Sequence, residues 1–236
     1  MRIVVTGSIA YDYIMVFPGQ FKEHILADKV HVLSVSFLVD SMKKMRGGTA
    51  PNISYTLALL GEHPCLMGAV GQDFAEYRAW LESNGIDTSM TQVIDDDFTS
   101  SCFINTDLSD NQITAFYPGA MNHAHKLRLN VNGVRPDFVI IAPNDPAAMA
   151  QYVKECQSHD IEYMYDPSMQ APRMNGADLL EGCKKASILI GNDYEFAMMA
   201  EKIGCSEAEL HKIVPITVIT KGGEGATIHH HDEIHE

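Results

Sequence analysis

Short apolar runs alternate with segments of helical period along most of this chain. Ile3–Thr6, Pro64–Val70 and Asp137–Ala142 are rich in apolar and β-branched residues, which is typical of strands buried on both faces. Thr49–Leu60 has apolar residues at helical spacing and is followed by Gly61, a common end signal of a helix. This alternation predicts an α/β fold with a mostly parallel sheet and helices on both of its faces.

The second half of the chain continues the pattern. Ser206-Glu207-Ala208-Glu209 has the residue types of a capping box, in which a serine and a glutamate pair with each other's free amide groups at a helix start. We predict helices over Phe74–Asn84, Pro146–Ser158, Ala177–Lys184 and Asp193–Ile203, and a further one after Ser206. We predict strands over Glu162–Tyr165, Ser187–Gly191, Pro215–Thr220 and Ala226–His230.

Two stretches break the alternation. His31–Phe37 and Thr99–Gly119 have the pattern of strands without intervening helices. Within the second stretch, Cys102–Asp107 and Gln112–Pro118 flank a turn-forming segment and predict a hairpin. We therefore expect a small β lid beside an α/β body, with the lid over residues 13–39 and 98–118 and the body over residues 1–12, 40–97 and 119–236.

The charge balance argues against two classes of partner. The chain has 17 Lys and Arg against 31 Asp and Glu, a net charge of −14 with neutral histidines. Nucleic acid and anionic membranes both require a basic surface, so we expect neither as a partner. No apolar run approaches the roughly 18 residues of a membrane span, and no signal peptide is recognisable. Five cysteines without a C-x-x-C pair are typical of a reduced, cytoplasmic protein.

The stretch most informative about chemistry is Arg46–Ser54, which leads directly into a predicted helix. Gly47 and Gly48 have no Cβ where a ligand would approach the backbone, and the helix start offers free N–H groups. Asn52 in the first turn has one acceptor and two donors, a set that suits a diol. Because a glycine pair before a helix is also a common loop device, the pair alone does not define a ligand site.

Several motifs follow in a fixed order. After Gly47-Gly48 come Asn52, Ser54, Gly61 and Gly71, then the N-x-x-E segment Asn192-Asp193-Tyr194-Glu195 and the T-x-G-x-x-G segment Thr220-Lys221-Gly222-Gly223-Glu224-Gly225. With this set the sequence resembles the PfkB, or ribokinase-type, carbohydrate kinases. The stretches Val35–Asp40 and Phe116–Ala120 look more like the adenosine-kinase-like branch of that family. The resemblance implies a ribokinase-like three-layer α/β sandwich with a mostly parallel central sheet and a small β lid. It also implies an enzyme that uses ATP and Mg²⁺ to phosphorylate a hydroxymethyl group of a ribosyl substrate, adenosine first and a related sugar second.

The resemblance also assigns roles to individual residues. Asp12, which we expect at the carboxyl end of the first strand, would bind the substrate hydroxyls, with a plain strand-end residue as the alternative. The implied substrate-binding residues are Asp12, Gly47, Gly48, Asn52, Phe103, Phe116 and Asn144. The implied ATP-binding residues are Asn192, Thr220, Gly222 and Gly225, with Glu195 holding Mg²⁺ through water. For the two phenylalanines, a place in the lid core or in a homodimer formed through the lid is the alternative.

One motif of the family does not occur in these 236 residues. The family carries its catalytic base, an aspartate, in a G-A-G-D motif whose amides also form an anion hole. Neither this motif nor a Walker A loop or a G-x-G-x-x-G fingerprint occurs here. We therefore expect no catalytic base within this chain, and place the base and the C-terminal part of the family fold beyond Glu236. The alternative is a shortened, non-catalytic protein that binds a nucleoside or sugar.

Histidines are concentrated near the end of the sequence, at His229, His230, His231 and His235. Successive residues of a strand point to opposite faces, so adjacent histidines do not form one compact metal site. We interpret them as residues of an edge strand.

Overall fold

The computed structural model describes residues 1–129, 135–230 and 233–236, which form two sheets. The strands of the main sheet are β1 Ile3–Thr6, β4 Cys65–Gly71, β5 Asp87–Ile94, β8 Phe138–Ile141, β9 Glu162–Tyr165, β10 Ile188–Asn192, β11 Ile216–Thr220, β12 Ala226–His230 and β13 Glu233–His235. The strands of the second sheet are β2 Ala10–Val16, β3 Ser41–Gly47, β6 Ser100–Thr106 and β7 Gln112–Tyr117. The helices are α1 Phe21–His24, α2 Thr49–Leu59, α3 Ala75–Ser83, α4 Pro146–Ser158, α5 Gly176–Lys184, α6 Asp193–Ile203 and α7 Glu207–Ile213. Short 3₁₀ segments cover Ala27–Val32, Gly119–Lys126, Ser168–Arg173 and Gly222–Glu224.

The main sheet confirms the predicted parallel arrangement. Its strand order is β13-β12-β11-β10-β9-β8-β1-β4-β5. All strands from β11 to β5 in this order are parallel, whereas β12 and β13 pair antiparallel at one side. The carboxyl ends of the parallel strands therefore share one edge, which is where open α/β sheets bind their ligands.

Helices cover both faces of the main sheet, each set over its own core. Along β1 the side chains alternate, so that Val4 belongs to one core while Ile3 and Val5 belong to the other. Helices α4 to α7 pack over the first core, where Tyr152 is fully buried, and α2 and α3 pack over the second, which contains Tyr77. The result is the expected three-layer sandwich. None of the helices in the described residues is both long and apolar enough to cross a membrane.

The second sheet starts earlier than the predicted lid. Strand β2 begins at Ala10 and β3 covers Ser41–Gly47, so both strands include residues that we assigned to the body. Asp12, expected at the end of the first strand, lies inside β2. The reason is that the chain leaves the main sheet after β1, where the Ser8 amide donates to the Pro143 carbonyl at 2.8 Å, and extends again as a strand of the other sheet. The wider division into body and lid stays a prediction.

The strand predicted at His31–Phe37 is wrong. Ala27–Val32 forms 3₁₀ turns, and residues 33–39 have no regular structure. Phe37 instead packs against Phe17 and Phe21, with ring centroids 5.0 and 4.8 Å apart. The aromatic residue of this segment therefore completes a local cluster rather than one face of a strand.

The capping box predicted at Ser206 is confirmed. Ser206 Oγ accepts a hydrogen bond from the Glu209 amide at 3.3 Å, and Glu209 Oε2 accepts one from the Ser206 amide at 2.8 Å. Helix α7 follows directly.

The histidines near the end of the sequence are only partly in an edge strand: His235 lies in β13, the outermost strand of the main sheet, whereas His229 and His230 do not. β12 contains His229 and His230, but β13 pairs with its outer side, so β12 is an inner strand of the sheet. The His229 ring stacks on that of His211, with centroids 4.3 Å apart. His231 lies outside the described residues. Across the part of the chain that the structure describes, no group of three metal-ligating side chains converges on one point.

Candidate active site

A cavity of about 460 Å³ is lined by residues from both the second sheet and the body. The lining residues are Ser8, Ala10, Asp12, Gly48, Thr49, Asn52, Cys102, Phe116, Met121, Pro143, Met169, Gln170 and Arg173. Its volume lies in the range of ordinary small-molecule sites. Most of its wall is apolar, and a few charged and amide groups project into it, which is the usual composition of a specific ligand site.

Asp12 and the glycine pair meet at one end of this cavity. Strands β2 and β3 pair antiparallel, so that Gly47 lies opposite Ala10, close to Asp12. A Cβ on Gly47 would overlap the Asp12 carboxylate. Gly48 has a φ of +95°, and a Cβ at that position would collide with the backbone of Ser8. Gly48 is therefore required by the backbone, whereas Gly47 leaves the space that the Asp12 carboxylate occupies. Burial raises the pKa of Asp12 above its ordinary value.

The start of helix α2 is fixed against the body. The Thr49 amide donates to Ser8 Oγ at 3.1 Å, and Thr49 Oγ1 donates to the Pro143 carbonyl at 3.2 Å. These bonds hold the first turn in place, and Asn52 projects from that turn into the cavity. The amide predicted to bind a diol thus lines the same cavity as Asp12.

The second sheet presents a row of side chains to the cavity. Asp12 lies in register with Cys102 across β2 and β6, and Cys102 lies in register with Phe116 across β6 and β7. All three line the cavity. Phe103 occupies the next position on β6 and therefore points to the opposite face, where its ring stacks on Tyr13. The structure thus brings Phe116, but not Phe103, to the site.

Asn144 lies behind the cavity wall. It is 1 % exposed and follows Pro143, which does line the cavity. Asn144 Oδ1 accepts from the Asp145 amide at 2.8 Å, and Nδ2 has no hydrogen-bond partner in the described residues.

A second group of predicted residues meets at the carboxyl edge of the main sheet. Asn192 and Glu195 form a capping box on α6: each side chain accepts from the other residue's amide at 2.8 Å. Thr220, at the end of β11, pairs in register with Asn192 at the end of β10. Gly222 and Gly225 follow in the β11–β12 turn, with φ of +58° and +92° and with open space where a Cβ would stand.

Asp166 adds a second carboxylate beside Glu195. It follows β9 directly, one strand away from β10 in the sheet. Burial and the negative charge of Glu195 raise the pKa of Asp166 to about 7. The Asp166 carboxyl, whose charged form is disfavoured by burial and by Glu195, suits a hard divalent cation, which prefers oxygen ligands.

The comparison with known proteins decides the family. Residues 2–236 match the profile of the pfkB family carbohydrate kinases. The chain belongs to this family. As a pfkB kinase it is an ATP-dependent enzyme that acts on a sugar or a nucleoside, and its architecture is the ribokinase-like α/β fold.

Relatives of this pfkB kinase include nucleoside kinases of archaea and bacteria. It is 28 % identical to a nucleoside kinase of Methanothermobacter thermautotrophicus, over 98 % of this chain and 73 % of the relative. A structure of Burkholderia thailandensis nucleoside kinase in complex with inosine is 35 % identical, with a TM-score of 0.85 over 100 % of this chain and 75 % of that one. The nucleoside kinase of Methanocaldococcus jannaschii is 26 % identical, with a TM-score of 0.87 over 100 % and 76 % of the two chains.

Several residues of the candidate site were not found from the sequence. Cys102, Gln170 and Arg173 line the cavity, and Arg173 Nη1 donates to Gln170 Oε1 at 3.2 Å. Their positions depend on strand register and on the path of a 3₁₀ segment, neither of which has a sequence signature. Asp166 did have a signal, because it directly follows a predicted buried strand at the ligand-binding edge of the sheet.

Proposed function

We propose that this pfkB kinase transfers a phosphoryl group from ATP to the hydroxymethyl group of a purine nucleoside. The observation that supports this proposal best is that one cavity contains both a polar surface suited to hydroxyl groups and an aromatic surface suited to a base. Hydroxyl-binding groups, Asp12 and Asn52, lie in the same cavity as an aromatic ring, Phe116. A free sugar would use the first kind of surface, whereas a nucleoside uses both.

The ribose would lie against Asp12, Gly48 and Asn52. An ionised carboxylate accepts hydrogen bonds only, so Asp12 suits two neighbouring hydroxyls that both donate. The Asn52 amide adds one acceptor and two donors. Gly47 leaves the space that the Asp12 carboxylate occupies, and the free backbone at Gly48 allows a ring to approach closely.

The base would stack on Phe116. Met121 and Met169 add apolar surface to the same cavity, and methionine side chains adapt readily to aromatic ligands. Adenosine is the acceptor that the sequence favours, and the similar Burkholderia thailandensis kinase has been solved with inosine. We propose the purine ribonucleosides as the substrate class, with adenosine and inosine as the two candidates to compare.

ATP would bind along the carboxyl edge of the main sheet, at Asn192, Thr220, Gly222 and Gly225. Mg²⁺ fits the carboxylates of Glu195 and Asp166, because a cation removes the repulsion between them. When bound, the metal would neutralise negative charge on the phosphates. Closure of the lid over the nucleoside would exclude water from the site and limit hydrolysis of ATP.

Two further features belong to the same proposal. Ile14, Val16 and Met45 are 37 %, 40 % and 49 % exposed on the cavity-facing side of the second sheet, which supports a homodimer formed through the lid. Light scattering of the pure protein tests that assembly, and a monomeric mass would contradict it.

The five cysteines are all free thiols, which supports a reducing compartment such as the cytoplasm.

Titration calorimetry with adenosine, inosine and ribose, followed by a phosphoryl-transfer assay with ATP, tests the proposed function. We expect purine nucleosides to bind more tightly than ribose. The variant Asp12→Asn should lose about 10- to 100-fold in affinity, because bonds to a charged acceptor are replaced by weaker ones. Asp110→Asn is the matched control: Asp110 has a φ of 60°, which asparagine tolerates, and lies on the hairpin of the same sheet.

The two assays separate the proposed enzyme from its alternative. Tight binding with phosphoryl transfer supports a kinase. Tight binding without transfer, measured on a protein that includes the family's G-A-G-D motif, would favour a non-catalytic nucleoside-binding protein. Equal affinity of wild type and Asp12→Asn for every ligand would remove Asp12 from the site.

A further inference from the structure

One short segment touches both halves of the candidate site. The 3₁₀ segment Ser168–Arg173 contributes Met169, Gln170 and Arg173 to the wall of the cavity. At its first residue, Ser168 Oγ donates a hydrogen bond to Glu195 Oε1 at 2.9 Å. Six residues therefore connect the nucleoside cavity to the carboxylate that we assign to the metal.

Ser168 holds an unusual backbone conformation. Its φ is +37°, in the left-handed region that residues other than glycine, asparagine and aspartate rarely adopt. Strained backbone of this kind persists only where neighbouring contacts hold it, and it is concentrated at functional sites. The bond from the Ser168 hydroxyl to Glu195 is such a contact.

Helix α6 holds the same segment at its other end. Lys202, in the last turn of α6, donates to the carbonyl of Pro172 at 2.6 Å and to that of Met174 at 2.8 Å. Glu195 lies in the first turn of the same helix. One rigid helix therefore fixes both ends of the segment that forms part of the cavity wall.

The carboxylate of Glu195 is divided between two partners. Its Oε2 accepts from the Asn192 amide and so completes the helix cap, while its Oε1 accepts from Ser168. A shift of Ser168 when the cavity is filled would change the contact on Oε1. A change at Oε1 when the metal binds would act on Ser168 in return.

We propose that Ser168 is a positioning residue that couples the nucleoside cavity to the metal–nucleotide site, so that each ligand strengthens the binding of the other. This inference rests on the proposed function, because it takes the cavity as the nucleoside site and Glu195 as the metal carboxylate. The coupling passes through one hydrogen bond, from a hydroxyl on the cavity segment to a carboxylate on α6. By linkage, the two ligands raise each other's affinity by the same factor.

Titration calorimetry measures this factor directly. Inosine is titrated into the protein with and without saturating MgADP, and the ratio of the two dissociation constants is the coupling. We expect a ratio of about tenfold for the wild type. Ser168→Ala removes the hydroxyl and should reduce the ratio to about twofold or less.

Three further variants separate the hydroxyl from the backbone. Ser168→Gly also loses the hydroxyl but adopts a positive φ without strain, so it should lose the coupling and melt at a higher temperature than Ser168→Ala. Ser168→Asn keeps a side-chain donor and tolerates the left-handed region, so it should recover part of the coupling. Ser206→Ala is the matched control: it also removes a serine hydroxyl that donates to a glutamate in the first turn of a helix, here Glu209, and it should keep the wild-type ratio.

The possible negative results contradict different parts of the argument. If Ser168→Ala and Ser168→Gly keep the wild-type ratio, the inference is wrong. If the wild type binds inosine and MgADP independently, the inference is also wrong, while the proposed function stands. If the wild type binds no purine nucleoside at all, the proposed function itself is contradicted.

Discussion

The ring of Phe103 stacks on that of Tyr13, with centroids 4.9 Å apart and planes 11° from parallel, on the face of the second sheet that points away from the cavity. Phe116, one strand over, lies on the opposite face and lines the cavity. The two phenylalanines of the hairpin therefore have different neighbours. This difference provides a direct test of the proposed base site.

Phe116→Ala should weaken binding of purine nucleosides, whereas Phe103→Ala should leave it unchanged. Loss of one stacking ring costs about 1–3 kcal/mol per base, which corresponds to about 5- to 150-fold in affinity. The loss of the Tyr13–Phe103 stack should instead lower the free energy of unfolding by about 1 kcal/mol. Titration with inosine and thermal melting of both variants measure the two effects. Equal affinities for the two variants would place the base elsewhere.

Gly47→Ala should damage the ribose site. A Cβ at Gly47 would overlap the Asp12 carboxylate, so either the carboxylate or the strand end must move. We expect the free energy of unfolding to fall by about 1–3 kcal/mol if the strand end moves, the usual cost of overpacking, and inosine affinity to fall if the carboxylate moves. Gly223→Ala is the control, because open space surrounds that position and its φ is not in the left-handed region. Unchanged inosine affinity in Gly47→Ala would contradict a role for Asp12 at this end of the cavity.

Asp107 should make the second sheet sensitive to acid. Burial alone would raise the pKa of Asp107, but hydrogen bonds from the Phe21 amide, the Asn111 side chain and the Ser109 and Asn111 amides outweigh it and lower the pKa to about 2. A carboxyl group whose pKa is lowered by folding contributes its full stabilisation at pH values above its ordinary pKa of 3.8. That stabilisation is lost as the pH falls from about 4 to about 2.

Thermal melts of Asp107→Asn at pH values from 7 to 2 check this dependence. The variant should melt at a lower temperature than the wild type at pH 7, and the difference between them should shrink below pH 4. Asp110→Asn, on the same turn, should follow the wild type throughout. A constant difference at all pH values would show that the contribution of Asp107 does not come from its charge.

Lys202→Met should weaken the attachment of the 3₁₀ segment that forms part of the cavity wall, although Lys202 itself does not line the cavity. The variant removes two bonds from a charged donor to the carbonyls of Pro172 and Met174, at a cost of about 1 kcal/mol in unfolding free energy. Because Gln170 and Arg173 lie on that segment, inosine affinity should fall as well. Lys184→Met, which removes only an exposed ion pair with Glu181, should change neither quantity measurably. Wild-type inosine affinity in Lys202→Met would show that this anchor does not shape the cavity.

Elements with strong local signals were predicted well. Pro146–Ser158 and Asp193–Ile203 have the predicted bounds, since a proline or a capping residue starts each helix and local sequence alone defines that point. Strand β5 was missed, because only Thr88 and Met90 are buried and its other apolar residues, Val93 and Ile94, are adjacent rather than alternating. An edge strand of this mixed composition is hard to distinguish from a loop until its neighbour in the sheet is known.

The candidate site was predicted where a motif fixes a residue to a helix start. Asn52 and Glu195 are two such residues, and both lie where the sequence places them. Which face of the hairpin meets the cavity depends on a single step of register, so sequence alone did not separate Phe103 from Phe116. Ser168 has no signal at all, because its left-handed backbone is imposed by contacts with a helix distant in the chain.

The two groups that we propose to bind the ribose stand on different layers of the fold: Asp12 is on β2 of the second sheet, while Asn52 is on α2 over the main one. Any outward swing of the second sheet would therefore pull the ribose contacts apart at the same moment as it admits solvent. A nucleoside could not stay fully bound to an open enzyme, and the rate at which it departs would report how often the two layers separate.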